Sequence, residues 1–539
     1  MRKKMISILL AAAMTGTLLM GCGGSAGTEN TAAENKPASE AGEETGEKAV
    51  GESEGAAVSE DVTTLSVYID ASWWPTDKWE GIIPEEITKR TGVALDVTIA
   101  TDDSQLGLMI ASNELPDLVF TDKEIYRLSN SDFCYPLEEL IEQYCPENAD
   151  VFDDTRKAIG ESLGTDGKYY TILDVFNTSE EWKDSGVSSG QCVMVYRQDI
   201  YEAMGSPKLE NVDDLMNVLK MCKEQYPDLI PLQLGGVWKL QSVATMLGAV
   251  PTNNYGYNTD GSVVYYSSHD KYYDFLKYAN EMARNGLITA EAYASDNETD
   301  NYQALYNGNV FMMSMYLKGD DLGTQMSRMN VENPDLRVLP SLGEDPVSTG
   351  KGWCGLYITK NCSDPEAAIK FLTYMYSDEG SSLSKFGREG IEWNMEDGQI
   401  VFSEEFLEGI QNDDIRIATY NNQYYFGCDA IKDVTTGFAL FSEENKAAAL
   451  TYMDDLKSAP EIGVSIPNST SDEGVIDAKL DDAIPAEEAK VIFAGSDDEF
   501  EAAYAQLQKV AKQIGVEQLN EYMTKAVADN CEKFGFVKE

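Results

Sequence analysis

Alternating apolar and polar positions mark the start of the folded part of the chain. Residues 64–69 alternate in this way and are rich in residues that favour strands, as are 93–100 and the short run 117–120. Between them, apolar residues recur at helical spacing over 84–91 and 104–112. Strands that alternate with helices predict βαβ units and a parallel sheet.

The same two patterns recur through the rest of the chain. Further strands are predicted over 169–173, 191–196, 310–315, 336–339 and 355–359, and further helices over 212–225, 271–285 and 365–377. The C-terminal region shows helical spacing, most clearly in the apolar stripe of residues 500–514. The predicted fold class is therefore α/β with a helical C-terminal region.

A short positive region and an apolar stretch open the chain. Arg2–Lys4 precede an apolar run over 5–20, which is shorter than the ~20 apolar residues that span a bilayer. This arrangement is typical of a secretory signal. The run ends at Gly21-Cys22, which resembles the lipobox of bacterial lipoproteins, so Cys22 is the predicted lipid attachment site. An ordinary signal peptide that happens to end near a cysteine is the alternative.

These features divide the chain into a signal peptide over 1–21, a tether over 22–61 and a folded domain over 62–539. The tether is acidic, rich in Gly, Ala, Ser and Thr, and contains no aromatic residue. Such a segment buries too little apolar surface to offset its ordering entropy, so we expect it to be disordered.

The charge and the scarcity of histidine exclude several function classes. The formal net charge of -52 repels nucleic acid and anionic headgroups. The single histidine, His269, rules out a paired-histidine zinc motif. The acidic run 296–300 lacks the glycine and the final glutamate of an EF-hand loop. No metal or cofactor is therefore predicted, although structural calcium is left open.

The cysteines after Cys22 form an even set of eight, which permits disulfides in a secreted protein. No two of them have Cys-x-x-Cys spacing, and several lie inside apolar runs. Free thiols in the core are the preferred interpretation, and Cys354 with Cys362 is the first pair to check.

Several segments, taken in their order along the chain, resemble one protein family. They are Asn113–Phe120, Asp166–Tyr170, Val195–Leu215, Gly350–Phe371 and Phe386–Trp393. Together they resemble the bacterial extracellular solute-binding proteins of carbohydrate ABC transporters (family 1), in particular the LplA-like lipoprotein branch. The resemblance covers the folded domain as a whole.

The resemblance implies a two-lobed, periplasmic-binding-protein-like fold of type II with a hinge. Lobe 1 is expected to comprise about 62–175 and 300–345, and lobe 2 about 176–299 and 346–539. A ligand would bind in the cleft between the lobes and favour their closure, because it would contact both lobes at once.

The resemblance also implies a receptor rather than an enzyme. Such a protein captures a sugar or oligosaccharide and delivers it to the permease subunits of an ABC importer. We expect a monomer, held to the extracellular face of the cell membrane by the lipid on Cys22, with no nucleic-acid partner. Two alternatives stay open, because a fold does not fix its ligand. One is a binding protein for peptides or other small solutes, and the other, in a different class, is a secreted polysaccharide-degrading enzyme.

Sugar rings offer apolar C–H faces surrounded by hydroxyls, so their sites need flat aromatic side chains and a few oriented polar groups. The predicted contacts are Trp73, Trp74, Trp238, Trp353 and Trp393, with Asp70, Arg197, Tyr316, Arg388 and Glu392 as polar groups. Trp73 and Trp74 follow the first strand, where a parallel sheet places ligands. For each tryptophan alone a packing role is equally consistent, but at least two are expected to line the cleft.

Overall fold

The fold is built around two four-stranded sheets in this computed structural model. The structure describes residues 62–102, 104–188, 191–235, 239–249, 254–295, 298–317, 321–343, 347–348, 350–396, 398–454, 456–468 and 471–536. The strands are, in chain order, β1 Thr63–Ile69, β2 Val93–Ile99, β3 Leu118–Thr121, β4 Gln191–Arg197, β5 Ile230–Leu234, β6 Tyr255–Tyr257, β7 Val263–Tyr265, β8 Val310–Leu317, β9 Leu336–Val338, β10 Val347–Ser348, β11 Gly355–Ile358, β12 Trp393–Glu396, β13 Gln399–Phe402 and β14 Lys457–Ser458.

The first sheet has the strand order β11-β3-β1-β2. Strand β1 pairs in parallel with β2 and β3, which confirms the predicted βαβ units, whereas β11 runs antiparallel to β3. Leu65, Val67, Tyr68 and Ile69 of β1 are all buried, so both faces of this central strand are covered. The apolar side chains packed around this sheet form what we call the first core.

The second sheet has the strand order β5-β8-β4-β9. Strands β5 and β8 are parallel, and β4 runs antiparallel to both β8 and β9. Pro231 lies in β5, which is an edge strand, where a residue without a backbone N–H is tolerated. The larger apolar cluster around this sheet is the second core.

The sheets correct the predicted division of the chain between lobes. Strands β8 and β9, from the range 300–345 assigned to lobe 1, pair with β4 of the second sheet. Strand β11, assigned to lobe 2, pairs with β3 of the first sheet. The error arose because strand pairing over these separations leaves no local signal in the sequence.

The helices are, in chain order, α1 Ile82–Thr91, α2 Gln105–Ser112, α3 Ile125–Leu128, α4 Leu137–Tyr144, α5 Asp154–Leu163, α6 Ser179–Ser185, α7 Gln198–Ala203, α8 Val212–Gln225, α9 Gln241–Met246, α10 Tyr272–Arg284, α11 Ala290–Ala294, α12 Glu298–Tyr306, α13 Asp321–Arg328, α14 Pro365–Tyr376, α15 Asp378–Phe386, α16 Glu404–Ile410, α17 Asp413–Ile415, α18 Ala430–Ala439, α19 Glu443–Leu450, α20 Pro460–Gly463, α21 Asp472–Ile492, α22 Asp497–Ile514 and α23 Val516–Phe534. Helix α14 begins as its sequence predicts, because the Asp364 carboxylate accepts a hydrogen bond from the Ala367 backbone N–H at 3.0 Å. The C-terminal helices α21, α22 and α23 confirm the predicted helical region and pack into the second core.

The chain passes between the two cores at three segments that lie side by side. At the first segment, Asp174 exchanges backbone hydrogen bonds with the second, donating to Cys354 O and accepting from Trp353 N–H, both at 2.8 Å. Val175 N–H donates to the carbonyl of Cys428 in the third segment, also at 2.8 Å. Val175 has a φ of 59°, which is strained for a β-branched residue. Within the described ranges the chain passes from one core to the other at these three segments, which therefore form the hinge.

Candidate ligand-binding site

The carboxyl edge of the first sheet brings three chain segments together. Strands β1 and β3 end at this edge, and β11 begins there because it runs antiparallel to β3, with Gly355 opposite Thr121. The residues just after Ile69, just after Thr121 and just before Gly355 therefore converge. This is the edge at which open α/β sheets bind ligands.

Four aromatic side chains at this edge form a closed ring of contacts, which we call the aromatic platform. Trp73 and Trp353 are stacked, with ring centroids 5.8 Å apart and planes inclined by 24°. Trp74 lies 5.6 Å from Trp73, and Tyr425 completes the ring by contacting Trp74 at 5.7 Å and Trp353 at 5.6 Å. The sequence predicted the three tryptophans as ligand contacts, and the structure places them together.

The members of the platform differ in exposure. Trp73 is 63% exposed, and Trp353 is half-buried. Trp353 is held in orientation by its Nε1–H, which donates to Asp122 Oδ2 at 3.0 Å. The stacked pair therefore offers a fixed apolar indole surface bordered by an exposed carboxylate, which is the combination that a sugar ring requires.

Trp74 supports this surface rather than forming it. The side chain is buried, and its ring packs edge-on against Phe120 of β3 at 5.7 Å. It also contacts Tyr424 at 6.0 Å. The sequence could not distinguish Trp74 from Trp73, because both follow the same strand.

Asp70 lies at the same edge, directly after β1, as predicted. It is buried and accepts a hydrogen bond from the Thr121 hydroxyl at 3.0 Å. The ammonium group of Lys123 lies 4.0 Å from its other carboxylate oxygen. Asp122 and Lys123 follow β3 as Asp70 follows β1, so the rule that a parallel sheet places ligands after its strands would also have found them.

Tyr425 is the member of the platform that sequence reasoning missed. It lies in the aromatic run Tyr424–Phe426, just before the hinge residue Gly427. An aromatic run that ends at a glycine is the signal that could have drawn attention to it. Its ring also faces Lys385, whose Nζ is 3.5 Å from the ring centroid.

The hinge adjoins the platform directly. Trp353 itself makes the backbone hydrogen bond to Asp174, and the Asp174 carboxylate accepts a bond from Gly427 N–H at 3.1 Å. Burial raises the pKa of the Asp174 carboxyl well above its ordinary value. A displacement of the hinge backbone would therefore also move the backbone of Trp353.

Three predicted contacts are engaged in local structure instead. Arg388 and Glu392 form an ion pair at 2.7 Å, and the adjacent Trp393 is buried with its Nε1–H donating to Gly387 O at 3.0 Å. These contacts stabilise the segment between α15 and β12. The i,i+4 spacing of Arg388 and Glu392 in the sequence is already compatible with an ion pair between them.

Arg197 lies away from the carboxyl edge of the second sheet. It ends β4 opposite Leu336, near the edge at which β8 begins. Its guanidinium is buried and bound to Asp199 at 2.5 Å and to the carbonyl of Gly308 at 2.7 Å. These contacts give Arg197 a structural role, and its predicted contact with a ligand stays a prediction.

The remaining predicted residues are only partly covered by the structure. The backbone of Tyr316 lies in β8, opposite Cys192 of β4. Trp238, which follows β5 in the sequence, and Cys22 lie outside the described residues. The eight cysteines that follow Cys22 are free thiols, so Cys354 and Cys362 form no disulfide.

The ranges that the structure describes bear on metal binding and on membrane insertion. Within those ranges, no three or more His, Cys, Asp or Glu side chains converge as a metal site would require. Part of the acidic run 296–300 lies outside them. None of the described helices is both long enough and apolar enough to cross a membrane.

Comparison with known proteins shows one family. A model described as "Bacterial extracellular solute-binding protein" matches residues 84–383. The fructooligosaccharide ABC transporter substrate-binding protein FusA of Streptococcus pneumoniae serotype 4 is 25% identical over 240 residues. That match spans 41% of this chain and 44% of FusA, which is less than half of the relative's length.

Solved structures show the same fold. The alginate-binding protein AlgQ2, solved without calcium ion, has a TM-score of 0.63 at 20% identity, covering 87% of this chain and 99% of AlgQ2. FusA of S. pneumoniae in complex with kestose has a TM-score of 0.63 at 18% identity, covering 87% and 100% of the two chains. These likenesses confirm the predicted α/β fold of the type II periplasmic-binding-protein class.

Proposed function

The chain belongs to the bacterial extracellular solute-binding protein family, and from that premise we propose that it captures a sugar or oligosaccharide for an ABC importer. The observation that carries the proposal is the stacked pair Trp73 and Trp353, at 5.8 Å, at the carboxyl edge of the first sheet. An exposed indole face packs well against the C–H face of a sugar ring, and the adjacent Asp122 carboxylate can accept hydrogen bonds from hydroxyl groups.

The relatives support a sugar as the ligand. FusA is described as a fructooligosaccharide-binding protein and has been solved with kestose. The charged groups of the described platform also favour a neutral sugar, because Asp70 and Asp122 accompany Lys123 and no arginine side chain lies among the platform contacts given above. An anionic oligosaccharide would call for a cluster of arginines.

We further propose that the protein acts as a monomeric lipoprotein on the extracellular face of the membrane. The lipobox-like Gly21-Cys22 supports attachment through a lipid on Cys22, and the tether over 22–61 would give the folded domain reach toward its permease. The variant Cys22→Ser tests this: labelled palmitate should be incorporated into the unaltered chain and not into the variant. Equal labelling of both would contradict the attachment site.

A thermal-shift screen of residues 62–539 tests which class of ligand the protein binds. A ligand that binds only the folded state adds about 2.7 kcal/mol to the free energy of unfolding at a hundredfold excess over its dissociation constant, so a rise in melting temperature identifies it. We expect a rise with neutral oligosaccharides such as kestose, and none with peptides. A rise with peptides alone would replace the sugar by a peptide or another small solute.

The rival from another class is a secreted polysaccharide-degrading enzyme. Such an enzyme would hold two carboxyl groups ~5–9 Å apart across the glycosidic bond. Mass spectrometry of the sugar after prolonged incubation separates the two functions. Recovery of the intact oligosaccharide is the result expected of a receptor, whereas release of shorter products would establish the enzyme.

A further inference from the structure

A lysine is buried beneath the aromatic platform. Lys385, on α15, is 5% exposed, and its ammonium group lies 3.3 Å from the carboxylate of Asp433, which is buried as well. Lysine is almost never fully buried unless it is paired, because removing its charge from water is costly. In some proteins a buried pair of this kind fixes a specific arrangement of its neighbours.

The two partners belong to different cores. Helix α15, which carries Lys385, contributes Leu383 and Phe386 to the first core. Helix α18, which carries Asp433, follows the hinge and contributes Val434 and Phe438 to the second core. The ion pair therefore joins the two halves of the molecule next to the hinge.

The same ammonium group faces the platform. Its Nζ lies 3.5 Å from the ring centroid of Tyr425, in the geometry of a cation–π contact shielded from water. Tyr425 contacts Trp353 at 5.6 Å with the two planes at 90°, and it contacts Trp74 at 5.7 Å. The ring of Tyr425 is thus held between the lysine and the indoles of the site.

We propose that Lys385 is a positioning residue for sugar binding. Paired with Asp433, it fixes the plane of Tyr425 and, through Tyr425, the orientation of Trp353, so that the ligand surface depends on the joint between α15 and α18. The proposal depends on the proposed function only for the identity of the ligand, because the contacts among Lys385, Asp433 and Tyr425 do not involve a ligand. It assigns Lys385 no contact with the sugar.

The same pair of helices supplies a matched control. Lys432 on α18 forms a second ion pair with Asp378 on α15, at 2.9 Å. The Asp378 side chain is 95% exposed. Asp378→Asn therefore removes a charge pair across the same joint and leaves the lysine under Tyr425 in place.

The test compares four variants of residues 62–539 by near-ultraviolet circular dichroism and by titration with kestose. Tyr425→Leu defines the spectral change that follows loss of the Tyr425 ring. Lys385→Met removes the cation but leaves Asp433 buried without it, and this variant can fail to fold. The double variant Lys385→Met with Asp433→Leu removes both charges and keeps an apolar joint, which is commonly tolerated. Asp378→Asn is the control.

The double variant is expected to keep a cooperative melting transition, to reproduce much of the Tyr425→Leu spectral change and to bind kestose about tenfold more weakly. Asp378→Asn is expected to match the unaltered protein in both measurements. A double variant with the unaltered spectrum and affinity would overturn the proposal, as would an equal change in Asp378→Asn. Because the spectra require no ligand, failure of the unaltered protein to bind kestose would count against the proposed function alone.

Discussion

At the scale of single residues, adjacent tryptophans have different roles. Trp73 is 63% exposed and makes its ring contacts within the platform. Trp73→Ala should therefore weaken sugar binding by about 1.5–3 kcal/mol, the contribution of one stacked aromatic face, with little change in the free energy of unfolding. Titration of tryptophan fluorescence with kestose measures the first quantity and chemical denaturation the second. Unchanged affinity would remove Trp73 from the binding surface.

Trp74→Ala should instead destabilise the fold. Its side chain is buried against Phe120 and Tyr424, so truncation leaves a cavity and costs about 3–5 kcal/mol of unfolding free energy. Guanidinium denaturation measures the cost, with Trp73→Ala as the matched control. Equal stability of the two variants would contradict the assigned burial.

The residues of the site show what the sequence could and could not reveal. Asp70, Trp73 and Trp74 were predictable because a strand end in a parallel sheet marks the ligand edge. Tyr425 was not, because it reaches the platform from a segment far along the chain, and only the folded chain brings it against Trp353. For Arg388 the sequence could not show whether its charge is paired with a ligand or, as in the structure, with a residue four positions away.

At the scale of elements, helix α21 is tied to the second core through a buried carboxyl group. Glu488 accepts hydrogen bonds from the hydroxyls of Tyr272 on α10, at 2.5 Å, and Tyr293 on α11. Burial raises the pKa of Glu488 above its ordinary value of 4.5, although the two tyrosine hydrogen bonds and the charge of Lys239 oppose the shift. The group therefore holds its proton in the folded state at a pH where the unfolded chain has lost it.

The direction of this shift fixes its effect on stability. As the pH rises above about 4.5, the unfolded chain releases the proton first, so the contribution of Glu488 to the free energy of unfolding falls until the pH passes the folded pKa. Glu488→Gln cannot ionise and keeps an oxygen that accepts from a tyrosine. The difference in melting temperature between the variant and the unaltered protein should grow in favour of the variant over this range. A difference that stays constant with pH would contradict the burial of the carboxyl group.

Elements were predictable where the pattern was local. Helices α1, α8, α10 and α14 and strands β1 to β4 follow from the spacing of their apolar residues. The strand predicted over 169–173 does not form, and only Leu173 makes an isolated bridge, to Gly355. That segment leads into the hinge, where backbone hydrogen bonds go to other crossing segments rather than to a sheet partner. Strand β5 was missed because Pro231 interrupts its pattern.

At the scale of the whole molecule, two cores joined by three adjacent segments allow one half to move relative to the other. A ligand shifts such an equilibrium only by as much as it binds one state better than the other. The platform lies at an edge of the first sheet and next to the hinge. A ligand bound to the platform therefore contacts the first sheet and lies close to the segments about which the two halves would move. The lobe boundaries could not be predicted, because they depend on which distant strands pair.

Calorimetric titration of residues 62–539 with kestose is the most direct test of whether this chain binds a sugar. We predict saturable binding to one site per chain, with the sugar recovered intact afterwards. Saturable binding of a peptide with no heat from any sugar, or recovery of cleaved sugar, would contradict the claim that this chain is a sugar receptor.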